Sequence, residues 1–347
     1  MKFSQSYDQL IIQTFIVSCL QIFGGIPLIS IETTLEPDKN WNNRMIGSKT
    51  GTFVQTKEFA DSKKLFGAEP LYFTFLDNTG KIVGQLVSLI HEKYQNRGKL
   101  GKILKSLPGT KNALCRWFYG PVIFDNNFEL QIQEELYKFL NSKKYQVWGS
   151  AHPFSNCSFS NFKKPFSISD WATFVLDLDT KDTIWENMAK HSARKNIERS
   201  QSRNVTIKQM QRNDLELFLQ LSNNSTKDLE PIPIFTLKKQ WDLLQPVGYD
   251  GFIAYENNEP IGGIKIASFN GYLYEFEVIR TKHDYTKKLY SQDLLKWHII
   301  NWGIKNNFSF YDFAGINPNP INDKEKGIFR YKQKWGGNLM NFKIVKM

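Results

Sequence analysis

The order of apolar runs and turn residues predicts a mixed α/β (α+β) chain made of two similarly built units, and three observations carry that expectation. Period-2 runs rich in β-branched and aromatic residues alternate with stretches of helical period along most of the sequence. The order strand, helix, strands, helix, strand occurs twice, on either side of a Ser-, Asn- and Pro-rich run from His152 to Asp170. A 347-residue chain that is 41% hydrophobic and 14% aromatic can also fill two cores of ordinary domain size. The expected division is residues 1–30 as an uncharged leader, 31–168 as the first unit and 169–347 as the second.

The uncharged stretch Gln9 to Ile31 is 23 residues long, enough to cross a bilayer, yet it holds Gln13, Thr14, Gln21, Gly24, Gly25 and Pro27. Three readings stay open: an anchor or signal (Ile16-Val17-Ser18-Cys19 loosely fits a lipoprotein box), an added helix or strand, or a non-native extension. In the first unit, Pro70 to Phe75 and Lys81 to Ile90 read as strands joined at Asp77-Asn78-Thr79-Gly80, a strong hairpin signal. The basic run Tyr94 to Gly101 reads as a loop, and Gln95 to Leu100 fails the last position of a pyrophosphate-cradling pattern. Arg116 to Pro121 ends a strand in Gly-Pro, and Asn127 to Leu140 is a helix.

In the second unit, Ala172 to Leu178 is a strand, and Thr183 with Glu186 predicts a capping box for a helix through Ser200 carrying Lys190, Arg194, Lys195 and Arg199. Asp214 to Leu221 and Phe235 to Leu244 are further helices. Gly251 to Tyr255, Glu259 to Phe269 and Tyr272 to Ile279 are strands, with turns at Asn257-Asn258 and Asn270-Gly271. Ser291 is the expected cap of a helix Gln292 to Lys305, with Asp293 in its first turn and His298 packed on one face. Phe308 to Ala314 is a buried strand carrying one acid, Asp312, and stopping at a turn on Gly315. The charged loop Asp323 to Lys326 leads to Gly327, then to a second strand or short helix in which Ile328, Phe329, Tyr331 and Trp335 interleave with Arg330, Lys332 and Lys334. The plain alternative makes Tyr331 and Trp335 core and Asp312 a loop cap.

A net charge of +11 and a pI near 9.3 favour polyanionic partners: RNA, phosphorylated metabolites or an anionic membrane surface. Cys19, Cys115 and Cys157 are too few and too scattered for a disulfide framework, and the five histidines form no H-E-x-x-H, so no metal is expected.

The pattern YDFAGI, a loop, then GIFRYKQKWGG resembles the end of the Fem family. These non-ribosomal transferases move an amino acid from aminoacyl-tRNA to an amine of a peptidoglycan precursor, within a wider circle of GNAT-like N-acyltransferases. The opening Trp41 and the series Gln55, Thr56, Phe59, Lys63 resemble that family's Gln-Ser-x-x-Trp-x-x-x-Lys, and Arg194 with Ile197 its Arg-x-x-Ile. The resemblance spans roughly residues 31 to 347. It implies two tandem GNAT-like domains without the coiled-coil arm of the larger members, and a site in which Lys332, beside Tyr331, meets the reacting carbonyl. Asp312 would orient Lys332 or the amine. Lys63, Gln55, Arg194, Gly315 and Trp335 would contact substrates, Lys63 through phosphates of a nucleotide-linked acceptor.

It further implies no cofactor, aminoacyl-tRNA as donor, and a peptide-like or nucleotide-linked amine as acceptor. The protein is then expected to be a cytoplasmic monomer, with weak membrane association through the uncharged segment left open. Two other functions stay open: an acyl-CoA-dependent N-acyltransferase, and a non-catalytic basic module that binds RNA or envelope precursors. A basic helix face such as Arg194, Lys195 and Arg199 would give tRNA sequence-independent phosphate contacts, or it is simply solvated.

Overall fold

Hairpins whose turns are spelled by Asn, Asp and Gly start and finish most of the sheet. In the computed structural model the described residues are 29–92, 113–143, 145–223 and 232–347. Most of the uncharged segment, with Cys19, and the basic loop 94–101 therefore lie outside them. In the first unit β1 (Ile29–Thr34) pairs with β2 (Ala68–Asp77), and β2 with β3 (Ile82–Glu92). Asp77 Oδ1 accepts from the amides of Thr79 and Lys81, and Gly80 takes a positive φ, which closes that hairpin. Two helices lie between β1 and β2: α1 (Trp41–Met45) and α2 (Lys57–Lys64), the latter capped by the Thr56 hydroxyl accepting from Phe59 N. Then β4 (Ala113–Trp117), the short β5 (Val122–Ile123), α3 (Glu129–Ser142) and β6 (Tyr145–Ser150) follow, with β4 and β6 parallel.

The second unit runs β7 (Ser167–Asp177), α4 (Lys181–Asn187), α5 (Lys195–Ser202), β8 (Thr206–Gln209), α6 (Leu215–Asn223) and α7 (Ile234–Leu244). The antiparallel meander β9 (Tyr249–Glu256), β10 (Glu259–Phe269), β11 (Tyr272–Arg280) comes next, followed by α8 (Lys282–Lys287) and α9 (Ser291–Lys305). The chain ends with β12 (Phe310–Ile316), α10 (Asp323–Gln333) and β13 (Asn338–Lys346). Asn257, Asn258, Asn270 and Gly271 all take positive φ, as the two-residue hairpin turns require. Both units contain the same crossover, a strand, a helix and a parallel strand: β4, α3, β6 and β11, α9, β12.

All thirteen strands among the described residues join one sheet, in the order β1-β2-β3-β4-β6-β13-β7-β12-β11-β10-β9-β8 with β5 on β3. The last strand thus lies between the units, pairing with β6 on one side and β7 on the other. Across the join, Phe53 stacks on Tyr249 and Phe59 meets Phe276 edge-on, each 6.2 Å apart, so one aromatic core serves both halves. A second core, under α9, α4, α5 and α10, belongs to the second unit alone. No helix among the described residues is long and apolar enough to cross a membrane.

Several local expectations are corrected. The α4 cap is Thr180, three residues before Thr183, and the chain to Ser200 is broken by a π-helical turn at Lys190–Arg194. Ser291 does not cap α9. The cap position is Tyr290 in left-handed conformation, and the Ser291 amide is held by Asp284 Oδ1 at 3.0 Å. The stretch from Asp323 is helix, begun by Asn322 accepting from Glu325 N, and Gly327 sits in its middle with open space where a Cβ would go. The strand at Asp312 continues through Gly315, and Ala314 is the residue with positive φ.

The join is fastened at Asp312, which is fully buried. Its Oδ2 accepts from Tyr119 of the first unit and Tyr272 of the second, both at 2.8 Å. Its Oδ1 accepts from Ala314 N at 2.8 Å and from the Thr173 hydroxyl. Asp312→Ala orphans the Tyr119 and Tyr272 hydroxyls and the Ala314 amide in a dry site, while Thr173 keeps its bond to the Ala314 carbonyl at 2.8 Å, and each orphaned group costs about 1 to 3 kcal/mol. We expect a loss of about 3 to 5 kcal/mol in urea unfolding, and a parental midpoint would refute the role of this carboxylate as the fastener.

Candidate active site at the split between two parallel strands

The strands β11 and β12 pair only over Tyr272–Tyr274 and Phe310–Asp312, then part. Just past that point β12 carries a bulge, where its register against β7 shifts between Asp312 and Gly315. Ala314 at φ 63 forms the bulge, and its amide is tied to Asp312. The carbonyls of Ala314 and Gly315 accept from Lys332 Nζ at 2.9 and 3.2 Å. Asp312 therefore does not touch Lys332; it fixes the bulge whose carbonyls hold it. Gly315 serves by closeness, because a Cβ there would lie 2.2 Å from Trp171 Nε1.

Burial pushes the Lys332 ammonium down to about 8, with the Glu275 and Asp312 carboxylates opposing and Lys296 reinforcing the shift. Its neighbours on α10 and just past its end divide the labour. Trp335 is fully buried against Phe313, ring centroids 6.2 Å apart, so it anchors the end of α10 and is not exposed for substrate contact as expected. Tyr331 is half-buried, its hydroxyl has no partner, and the Lys334 ammonium sits 4.2 Å from its ring centroid. Lys334 in turn ion-pairs with the buried Asp293 of α9.

Tyr331 and Lys334 help line a cavity of about 700 Å³, together with Gln292, Asp293, Arg280 and Tyr290. Its rim is basic: Arg199 and Arg203 each lie 5.8 Å from the Tyr290 ring centroid, and Lys288 lines the cavity as well. Beneath the split, Glu275 and Lys296 form a buried ion pair, and Tyr311 donates to Glu275 at 2.7 Å.

The remaining expected residues are placed elsewhere. Gln55 is fully buried and fully used: it donates to Phe118 O at 2.8 Å and Val87 O at 3.3 Å, and accepts from Val87 N at 2.7 Å. It splints the backbone and has nothing left for a substrate. Arg194 donates to Glu186 O at 3.5 Å within the π-helical turn. Lys63 faces the join, its ammonium 4.7 Å from the Phe59 ring centroid and 5.4 Å from that of Phe276. Sequence reading missed Asp293 as the partner of Lys334, Glu275 as the partner of Lys296, and Asp284. The signal available for Lys296 was a lone lysine inside an otherwise apolar helix face. Among the described residues no group of His, Cys, Asp and Glu is placed to hold a metal ion.

No protein-family model and no curated protein matches this chain. Solved structures do. FemX superimposes with a TM-score of 0.66 at 13% identity, covering 90% of this chain and 96% of its own. L-PGS from Bacillus licheniformis gives 0.54 at 13% identity, covering 89% and 91%. A tandem GNAT protein from the clavulanic acid biosynthesis pathway gives 0.54 at 8% identity, covering 92% and 98%. At such identities the likeness is one of architecture, and with the twice-repeated crossover it establishes that this chain has the tandem GNAT fold.

Proposed function

We propose that this protein transfers an aminoacyl group from aminoacyl-tRNA to an amine of a peptide-like acceptor of the cell-envelope precursor type. The observation that carries the reading is Lys332: a cation fixed by two bulge carbonyls at the split, one residue from a basic-rimmed cavity. The fold shared with FemX and L-PGS supports it.

Aminolysis of an ester asks little of a protein. The amine lone pair attacks the ester carbonyl carbon, the carbonyl oxygen becomes an oxyanion, and the intermediate collapses by expelling the ribose oxygen. The proton shed by the amine is the one the departing oxygen needs. What remains for the site is to align the partners and neutralise the oxyanion, and Lys332 is the cation placed for the second task. Asp312 is not the base in this scheme, because both its oxygens are occupied by donors. The cavity, rimmed by Arg199, Arg203 and Lys288, would take the polyanionic end of the donor. An acyl-CoA donor is the second reading. Against it, the N-terminus of α9, where backbone amides would cradle a pyrophosphate, is already closed by the buried carboxylate of Asp284.

Incubation with radiolabelled aminoacyl-tRNA or acetyl-CoA and a panel of amines decides between the two donors. With tRNA, the donor KM should climb steeply between low and physiological salt, whereas a flat response would favour acyl-CoA. Lys332→Met should lower kcat by roughly 10² to 10³ with little change in melting, the usual effect of removing an oxyanion donor. A parental rate would move the active site elsewhere. The ammonium is present below its value of about 8 and lost above it, so kcat should decline as pH rises through that region. Lys332→Arg should keep part of the rate and shift this alkaline limb upward, since guanidinium holds its charge.

A further inference from the structure

Single exposed apolar side chains are ordinary, but two isoleucines beside Lys332 are not scattered. Ile321 is 81% exposed and Ile328 41% exposed. Ile321 belongs to the connection from β12 to α10, residues 317–322, and Glu325 fastens that connection. Glu325 Oε2 accepts from Ile321 N at 2.9 Å and from Asn317 Nδ2 at 3.0 Å, while its Oε1 accepts from Asn322 Nδ2 at 2.9 Å. Asn317 Oδ1 in turn accepts from Asn319 N at 2.9 Å. A loop tied in this way has met its ordering cost before any ligand arrives, and it holds an aliphatic side chain out into solvent.

Helical spacing puts Ile328 in the same feature. Residues 325, 328 and 332 recur at intervals of three and four, so they share one face of α10. That face is pinned at both ends, by Glu325 to the connection and by Lys332 to the Ala314 and Gly315 carbonyls. Ile328 therefore stands between the end of β12 and α10, one turn from Lys332, with Ile321 farther out beside Glu325. Tyr331, which lines the cavity of about 700 Å³, is turned roughly 100° from Lys332 around the helix. The cavity and the isoleucines thus approach Lys332 from different sides.

We propose that Ile321 and Ile328 read the side chain of the transferred aminoacyl group, and that this side chain is aliphatic. Under the aminoacyl-transfer reading, on which this extension rests, the ribose end of the donor lies at the cavity and the ester carbonyl on Lys332. The next atom out is the α-carbon. Its side chain then starts within the about 5 to 6 Å that separates Cβ atoms one turn apart, which is where Ile328 stands. An aliphatic group gains by covering both isoleucines, whereas a charged side chain would give up water for a wall that offers it no partner. Glu325 is the acid on this face, and its oxygens are already taken by the loop.

Titration calorimetry of the full chain with uncleavable 3′-aminoacylamino-3′-deoxyadenosines carrying leucine, alanine, aspartate or lysine tests the site. The leucyl analogue should bind about tenfold or more tighter than the aspartyl and lysyl ones. Ile321→Ala combined with Ile328→Ala should cut that ratio about fivefold, and Ile328→Leu should keep it. Both isoleucines are exposed, so the double variant should melt like the parent, and Leu35→Ala, an exposed position of the first unit, should leave the ratio unchanged. Equal affinity for all analogues, a leucyl preference that survives in the double variant, or no binding at millimolar concentration overturns the proposal. A double variant that raises only the acceptor KM in the transfer assay also overturns it and gives this face to the acceptor. If the isoleucine-dependent preference holds while no aminoacyl-tRNA supports transfer, the transferase reading fails and the aliphatic site stands. If leucyl- and aspartyl-tRNA support transfer alike, the aliphatic site alone fails.

Discussion

The carboxylate of Asp312 is the interaction on which the rest depends. It collects Tyr119 from the first unit and Thr173 and Tyr272 from the second, together with the amide of its own bulge. A buried carboxylate is tolerated only when its lone pairs are filled, and filling these pulls three strand regions into one place. Burial still raises its pKa, with the hydrogen bonds from Thr173, Tyr272 and Tyr119 opposing. The same bonds set Ala314 in left-handed conformation, which turns two carbonyls toward Lys332. Packing of the units and position of the Lys332 ammonium are therefore one problem with one solution.

That coupling explains why the C-terminal strand lies where it does. With β13 between β6 and β7, α10 is held between a strand that carries Asp312 and a strand that bridges the units. The aromatic contacts among Phe53, Tyr249, Phe59 and Phe276 stiffen the join from the other side. Lys63, against Phe59 and Phe276, and Lys332, far apart in sequence, are thereby set on one framework.

What was legible in the sequence was chiefly local. Asn-Asn, Asn-Gly and Asp-Asn-Thr-Gly gave correct hairpins because their left-handed propensity is intrinsic to those residues. Caps were less legible. Ser291 has the right chemistry, but Asp284, seven residues earlier, takes its amide, and Tyr290 is forced into a conformation its own side chain disfavours. The helix at Asp323 was readable from Asn322 and Glu325, yet the charge run and Gly327 pointed to a loop. Gln55 and Trp335 show the limit of resemblance: it transfers a position in the fold, while burial decides whether the side chain can reach a ligand. The Glu275–Lys296 and Asp293–Lys334 pairs depend on strand register and helix packing, which no single segment encodes.

The treatment of buried cations supplies the last step. Lys296, Lys334 and Lys265 each face a carboxylate, which cancels their charge and makes them structural. Lys332 is held by neutral carbonyls instead, so its hydrogen-bonding needs are met in part while its charge is not cancelled. A carboxylate at that place would hold the ammonium more tightly and would also compete with any oxyanion for it. Carbonyl dipoles fix the direction of the nitrogen and leave the net charge for whatever negative group forms in the split. The lowered pKa is the physical cost of that arrangement, because burial outweighs the opposing pull of the Glu275 and Asp312 carboxylates. Stability alone would select the paired arrangement found at those three lysines, and the departure from it at Lys332 is what the proposed oxyanion-stabilising role would require.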